Sequence, residues 1–367
     1  MVSFQIRVAE PNITDEDAQA MFKVVKEGRL SSGPYVEKFE NEFAKYVGVK
    51  HAVAVNSGTA ALQLALDSLD IRDGEVITTP FTFAATSNVI VHQNAKPVFV
   101  DIESETFNLD PSKIEKAITS DTKAIMPIPY GGQCAELDEI NEIASKHNIF
   151  VIEDAAPALG STHKGKNAGT MSKIAGFSFF PDKNLTTGEG GMITTNDAEL
   201  AEKCRILRKN GASKRYYNEY VGWNFKMPDP NAALGLSQLK RFDSVIDTKN
   251  KKARYYDERL KTIDGVIPPL VRSYNRHTYM LYSILAKDNK TREKIRLSLE
   301  DHGIETRINF PSMHLQPIYK KLFGFSEGLC PVSEDMSERI LGLPIFISMT
   351  DEQQDLVIDT IRKTVEN

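Results

Sequence analysis

The chain has 367 residues, of which 41% are hydrophobic and 26% charged, with a formal net charge of −5. This is too apolar for a disordered chain, and it lacks the basic excess that neutralises phosphates along a nucleic acid. No run approaches the roughly 18 consecutive apolar residues of a membrane span. The start, Met1 to Arg7, has no basic region followed by an apolar stretch. Cys134, Cys204 and Cys330 are far apart and odd in number, so neither a disulfide frame nor a Cys-x-x-Cys metal knuckle is available. The expectation is a cytoplasmic protein with reduced thiols, no structural metal, and neither nucleic acid nor membrane as partner.

The first fifty residues read as two peripheral helices. Thr14 can cap a helix carrying Ala18, Met21, Phe22 and Val25 on one face, with Gly28 ending it. A second follows the Ser31-Ser32-Gly33-Pro34 turn, with Phe39, Phe43 and Val47 at helical spacing. From residue 51 short β-branched runs alternate with helical stretches. Strands are predicted at 51–55, 76–79, 97–100, 124–126 and 149–152, and helices at 59–69, 84–94 and 137–147. A further strand is predicted at 191–195. Such alternation implies a mostly parallel sheet covered on both faces. Asp229-Pro230 reads as an N-cap with proline in the first turn. A charged helical stretch follows through Lys261, and its Lys249–Arg254 cluster reads as a solvated face. Past Pro268-Pro269 lies a small α+β unit with a strand at 279–285, a helix starting at Thr291, and another at Thr350 with Gln353 completing a capping box.

Three sites carry chemistry. Asn56-Ser57-Gly58-Thr59 links a buried strand to a helix, which makes either a plain helix cap or a cradle of bare N–H groups for a phosphate. Asp154 ends the 149–152 strand, where α/β sheets bind ligands, although a cap or a salt bridge would also place a carboxylate there. Lys183 lies between the aromatic run Phe177–Phe180 and a loop with glycines at 188, 190 and 191. A lone lysine is ordinarily a solvated surface residue, but one with a depressed pKa in a pocket forms Schiff bases with carbonyls. Together, an amine, a strand-end carboxylate and a phosphate cradle are the parts that pyridoxal 5'-phosphate needs.

The ordered runs Asn56–Leu62, Pro80–Thr86, Pro97–Asp101, Glu153–Ala156, Ser178–Gly191 and Gly222–Met227, with Met313-His314 late in the chain, resemble one family nearly end to end. It is the DegT/DnrJ/EryC1/StrS group of sugar aminotransferases, fold-type I pyridoxal-phosphate enzymes acting on nucleotide-linked keto-sugars. The resemblance implies an α/β fold: a large domain, 1–250, with a mostly parallel mixed sheet covered by helices, and a small α+β C-terminal domain, 251–367. It implies Lys183 as the catalytic lysine that holds the cofactor and shuttles a proton. Asp154 would pair with the ring nitrogen and Phe83 would stack on the ring. Gly58, Thr59 and Ser178 would bind the phosphate. Asn224 would reach the cofactor phosphate of the neighbouring subunit, making a homodimer with shared active sites. Lys226 and His314 are candidate substrate contacts.

Three positions depart from the family pattern. Pro157 stands where a polar side chain often reaches the cofactor's phenolic oxygen, Pro129 where histidine is common, and Lys226 where arginine is frequent. Lysine keeps the charge but not arginine's planar fork. His277 reads as a packing or surface residue, with a sugar or diphosphate contact as its functional alternative, and Trp223 as an interface residue. The implied reaction moves an amino group from L-glutamate to a nucleotide-linked keto-sugar, with a 4-keto-6-deoxyhexose preferred. A 3-keto sugar is the next choice, and a dehydratase or a silent sugar-nucleotide-binding regulator are the rivals. Family dehydratases carry histidine in place of Lys183, so the lysine argues against that reading.

Overall fold

The computed structural model describes residues 4–366. Its centre is a seven-stranded sheet of β1 (His51–Val55), β2 (Glu75–Thr78), β3 (Lys96–Phe99), β4 (Thr122–Ile125), β5 (Phe150–Asp154), β6 (Ile174–Ser178) and β7 (Gly191–Thr195). The spatial order is β1-β7-β6-β5-β4-β2-β3. Only β7 runs against its neighbours, pairing antiparallel with both β1 and β6, while the pairs from β6 through β3 are parallel. This is the mostly parallel mixed sheet expected from the strand–helix alternation.

Both faces are apolar, and the alternation along each strand divides them. Val53, Val76, Ala124, Ile152, Ile174 and Ile193 share one core with Leu62 and Leu66 of α3 (Gly58–Ser68), Val89 and Ile90 of α4 (Ala84–His92), and Cys204. Their strand neighbours Ala52, Ala175, Phe177 and Met192 face the opposite way. They pack on Phe39 and Phe43 of α2 (Pro34–Val47) and on Ala232, Phe242 and Ile246. Ile77, Ile125 and Val151 continue that second face under α5 (Leu137–His147). Two-sided burial is why these strands read as continuous apolar runs.

Local capping signals hold where both partners are close in sequence. Thr14 and Asp17 form a full capping box on α1 (Asp15–Lys26), and Thr350 and Gln353 bond reciprocally at the start of the last helix. Two expected starts differ. The helix predicted at Thr291 begins at Asn289, because Asp288 is the cap and accepts from the Thr291 N–H at 2.7 Å. Asp229 does not cap its own helix, Asp229–Leu239 (α6), whose N-cap is Pro228. Its Oδ1 accepts from the Gly33 and Val36 N–H groups, both at 3.0 Å, and so caps α2 from 193 residues away.

A second layer consists of Val266–Ile267, Tyr282–Ala286 and Ile340–Leu343, a three-stranded antiparallel sheet. Its core contains Tyr282, Ile284, Leu341, Leu343, Ile295, Leu299, Val357 and Ile361, together with Ile6 from the other end of the chain. The helix Phe242–Leu260 (α7) joins the two layers. Phe242 and Ile246 lie in the core beneath the large sheet, and Ala253, Tyr256 and Leu260 lie in the second core. The buried residues of α7 form one stripe, 242, 245, 246, 249, 253, 256 and 260. Lys249 falls on that stripe and is buried, which corrects the expectation that 249–254 is wholly a solvated face. No helix of the described residues is long and apolar enough to cross a membrane.

Candidate active site

The carboxyl ends of β1, β5 and β6 bring the sequence candidates together. Ser57 ends the β1 turn as N-cap of α3, its side chain accepting from the Ala60 N–H at 3.0 Å. The Gly58 and Thr59 amides precede any intrahelical acceptor and have no protein partner among the described residues. Ser178 ends β6 against this turn. A Cβ on Gly58 would stand 2.7 Å from Ser178 Cβ and 3.0 Å from its Oγ, so only glycine permits the approach. Two free amides, a hydroxyl and a helix N-terminus of an eleven-residue helix form a concave, electropositive site.

Asp154 ends β5 on the same sheet face as Ile152, towards α4. Thr86, in the first turn of α4, donates its hydroxyl to Asp154 Oδ2 at 2.6 Å, and Thr82 lies 2.9 Å from the Thr86 hydroxyl. The Ala156 N–H donates to Asp154 Oδ1 at 3.3 Å. Burial pushes the Asp154 carboxyl upward, while the Thr86 and Ala156 bonds and the Lys183 charge pull it down. Glu153 points to the opposite face, where Oε2 accepts from the Gly169 N–H at 2.8 Å and Oε1 has no partner. Burial raises its carboxyl to about 7.

Lys183 sits on the loop between β6 and β7. That loop is held by its own backbone, by Gln238 accepting from the Thr186 N–H, and by Asn231 donating to the carbonyls of Thr187 and Glu189. Gly188 takes φ +79°, a left-handed conformation that favours glycine. The Lys183 amine lies 3.5 Å from Asp182 Oδ1 and 4.0 Å from the Met280 sulfur, with its side chain 18% exposed. Phe83, the residue before α4, leaves its ring 65% exposed. Phe83 precedes by three residues the Thr86 that bonds Asp154, and an exposed phenyl so placed offers a face to a flat ring.

Asn224 and Lys226 are drawn alongside by the 222–227 segment. The Asn56 N–H donates to Phe225 O at 2.9 Å, and Lys226 bridges to Val55. The Lys226 amine bonds Asn224 Oδ1. Trp223 stacks on Phe225 and donates to Asp67 at 2.8 Å. His314 is placed differently: its ring is fully buried, and Nε2 lies 2.9 Å from Glu334, which also accepts from the Gly328 and Cys330 N–H groups. His277 is buried too. Its Nδ1 accepts from the Tyr279 N–H at 2.8 Å, and burial, with Lys249 adding, drives it down to about 3, so it is a neutral packing residue. Pro129 and Pro157 are both buried. Sequence reasoning assigned no role to Thr86, although it ends the Pro80–Thr86 run.

The donor set matches pyridoxal 5'-phosphate group by group. The free amides with Ser178 suit a phosphate, the buried carboxylate a protonated ring nitrogen, the amine an aldehyde, and the exposed phenyl a ring face. Fold and site together define an aminotransferase of the pyridoxal-phosphate class. The chain belongs to the DegT/DnrJ/EryC1/StrS aminotransferase family, whose model matches residues 11–362. It is 42% identical to the spore coat polysaccharide biosynthesis protein SpsC of Bacillus subtilis, over 97% of this chain and 96% of that one. It is 39% identical to the GDP-perosamine synthase of Caulobacter vibrioides, over 96% of each. A Streptococcus pneumoniae sugar aminotransferase, solved in its PLP-form, superposes with a TM-score of 0.94 at 28% identity, covering 99% of both chains. The protein is a PLP-dependent transaminase.

Proposed function

We propose that the protein transfers an amino group from L-glutamate to the ketone of a nucleotide-linked 4-keto-6-deoxyhexose, and that it does so as a homodimer with shared active sites. The observation that carries the reading is the retained Lys183 amine set opposite the buried Asp154 carboxylate, in a chain similar to a GDP-perosamine synthase. A lysine at 183 supports transamination over dehydration.

When bound, PLP supplies an aldehyde carbon and an electron-withdrawing ring. The chain does the rest. Lys183 Nζ holds the aldehyde end and moves the proton at the carbon that exchanges nitrogen. Asp154 holds a proton on the ring nitrogen, and the Thr86 hydroxyl aims the carboxylate and favours its charged form. The Gly58 and Thr59 amides with Ser178 bind the phosphate, and Phe83 covers one ring face. Met280 packs its sulfur against the amine, 4.0 Å away. Across the two half-reactions glutamate leaves as 2-oxoglutarate and the sugar ketone becomes an amine.

The test is a panel of nucleotide-linked 3-keto and 4-keto sugars with glutamate as donor, read by mass spectrometry. The proposal expects conversion of the 4-keto-6-deoxy sugar. Exclusive conversion of a 3-keto sugar overturns the acceptor assignment, and no conversion of any overturns the reaction. Lys183→Ala should lose the absorbance that the bond between Lys183 and the cofactor gives the purified holoenzyme.

A further inference from the structure

Lys249 is a buried amine that the reaction above does not use. It is 5% exposed, on the apolar stripe of α7. Its Nζ donates to Asn184 Oδ1 at 2.9 Å, and Asn184 Nδ2 donates to Thr278 O at 2.9 Å. The next residue of α7, Asn250, donates to His277 O at 3.0 Å. Asn184 is therefore clamped from both sides, by α7 and by the 277–278 segment, and Asn184 is the chain neighbour of Lys183. The titratable groups facing Lys249 are Asp182 and Lys183 from the β6–β7 loop and His277 from the second layer.

We propose that Lys249 is a positioning residue for Lys183: through Asn184 it fixes the backbone that aims the cofactor lysine, and its charge acts on the nitrogen that Lys183 presents. The geometry supplies the first half, a side-chain relay from a rigid helix to the residue beside Lys183. Coulomb's law supplies the second, because two amines enclosed near one carboxylate, Asp182, repel each other mutually. Burial draws the Lys249 amine down to about 7, with Lys183 adding to the effect and Asp182 opposing it. The two enclosed amines are therefore coupled through their charges.

The inference rests on the assignment of Lys183 as the cofactor lysine, which the Lys183→Ala spectrum tests separately. The experiment titrates the near-visible absorbance of the holoenzyme with pH for wild type, Lys249→Met and Lys249→Arg. Loss of positive charge should favour a proton on the nitrogen joining Lys183 to the cofactor. The midpoint should rise by about one pH unit in Lys249→Met and fall below wild type in Lys249→Arg, whose charge is permanent. Asn184→Ser keeps the charge and breaks the relay. It should lower kcat several-fold with little change in KM for glutamate. Should Lys249→Met fail to fold, Lys249→Arg and Asn184→Ser decide. Unchanged midpoints with only a lower Tm overturn the proposal, as does an Asn184→Ser enzyme with wild-type kcat.

Discussion

Thr86 and Glu153 flank Asp154 on opposite faces of β5 and have opposite consequences. Thr86 donates its hydroxyl to Asp154, the proposed partner of the ring nitrogen. Thr86→Val keeps the shape and removes the donor that favours the charged form of Asp154. The loss of one hydrogen bond to a charged group, about 1.5–3 kcal/mol, should weaken PLP binding at least tenfold in a fluorescence titration of apoenzyme, with Thr86→Ser restoring most of it. A Val variant binding PLP like wild type would show the hydroxyl to be idle. Glu153 has a raised carboxyl at about 7. Its contribution to stability is whole below about pH 4.5 and is lost as pH climbs through 7. Glu153→Gln cannot ionise and retains an oxygen for the Gly169 N–H. Relative to wild type, this variant should gain about 3 kcal/mol between pH 4.5 and pH 8 in urea unfolding of the apoprotein. An equal difference at both pH values counts against a buried ionising Glu153. Lys183 and Asp154 stood out as candidates in the sequence because each sits beside a local signal, a glycine loop or a strand end. Thr86 and Lys249 were not, because their partners lie 68 and 65 residues away.

At the level of elements, strands and helices were readable wherever burial imposed a period. The whole central sheet was anticipated within a few residues except β6, where only its aromatic end was noticed. Capping separates short-range from long-range information. Thr14 with Asp17, and Thr350 with Gln353, find each other three residues apart. Asp229 looked like a cap for its own helix and instead serves α2, whose N-cap is the bare Gly33. A Cβ on Gly33 would stand 2.7 Å from Asp229 Oδ2, so glycine is what lets the carboxylate come close. Asp229→Ala leaves the buried Val36 N–H and the half-buried Gly33 N–H unmet and should cost about 1–3 kcal/mol in chemical denaturation. Asp229→Asn should recover most of that. An Ala variant with an unchanged midpoint would mean water replaces the carboxylate.

For the molecule as a whole, the proposed shared site is testable without an assembled structure. The hairpin of Ala212–Lys214 and Tyr217–Asn218 and the residues that lead from it to Asn224 present Tyr216 at 88% and Val221 at 92% exposure, large apolar groups that a partner subunit would cover. Lys183→Ala and Asn224→Ala chains, each inactive alone, should regain about a quarter of wild-type activity when refolded together in equal amounts. Half the dimers are then mixed, and one of the two sites in each has both residues intact. No regain would place Asn224 within its own subunit's site.

The helix α7 has one more consequence, which concerns how the protein can be taken apart. Its 19 residues form one rod about 28 Å long, with each end sunk in a different core. A cut at residue 250 would split that rod between Lys249 and the stripe that completes the second core. It would also strand Ile6, the N-terminal residue that packs there and pairs with Ile304. The C-terminal layer is therefore not a cassette. It cannot be excised, exchanged with that of a relative or expressed alone without carrying α7 and the first residues of the chain. An exchange with a relative must therefore move α7 and the first residues together with the C-terminal layer.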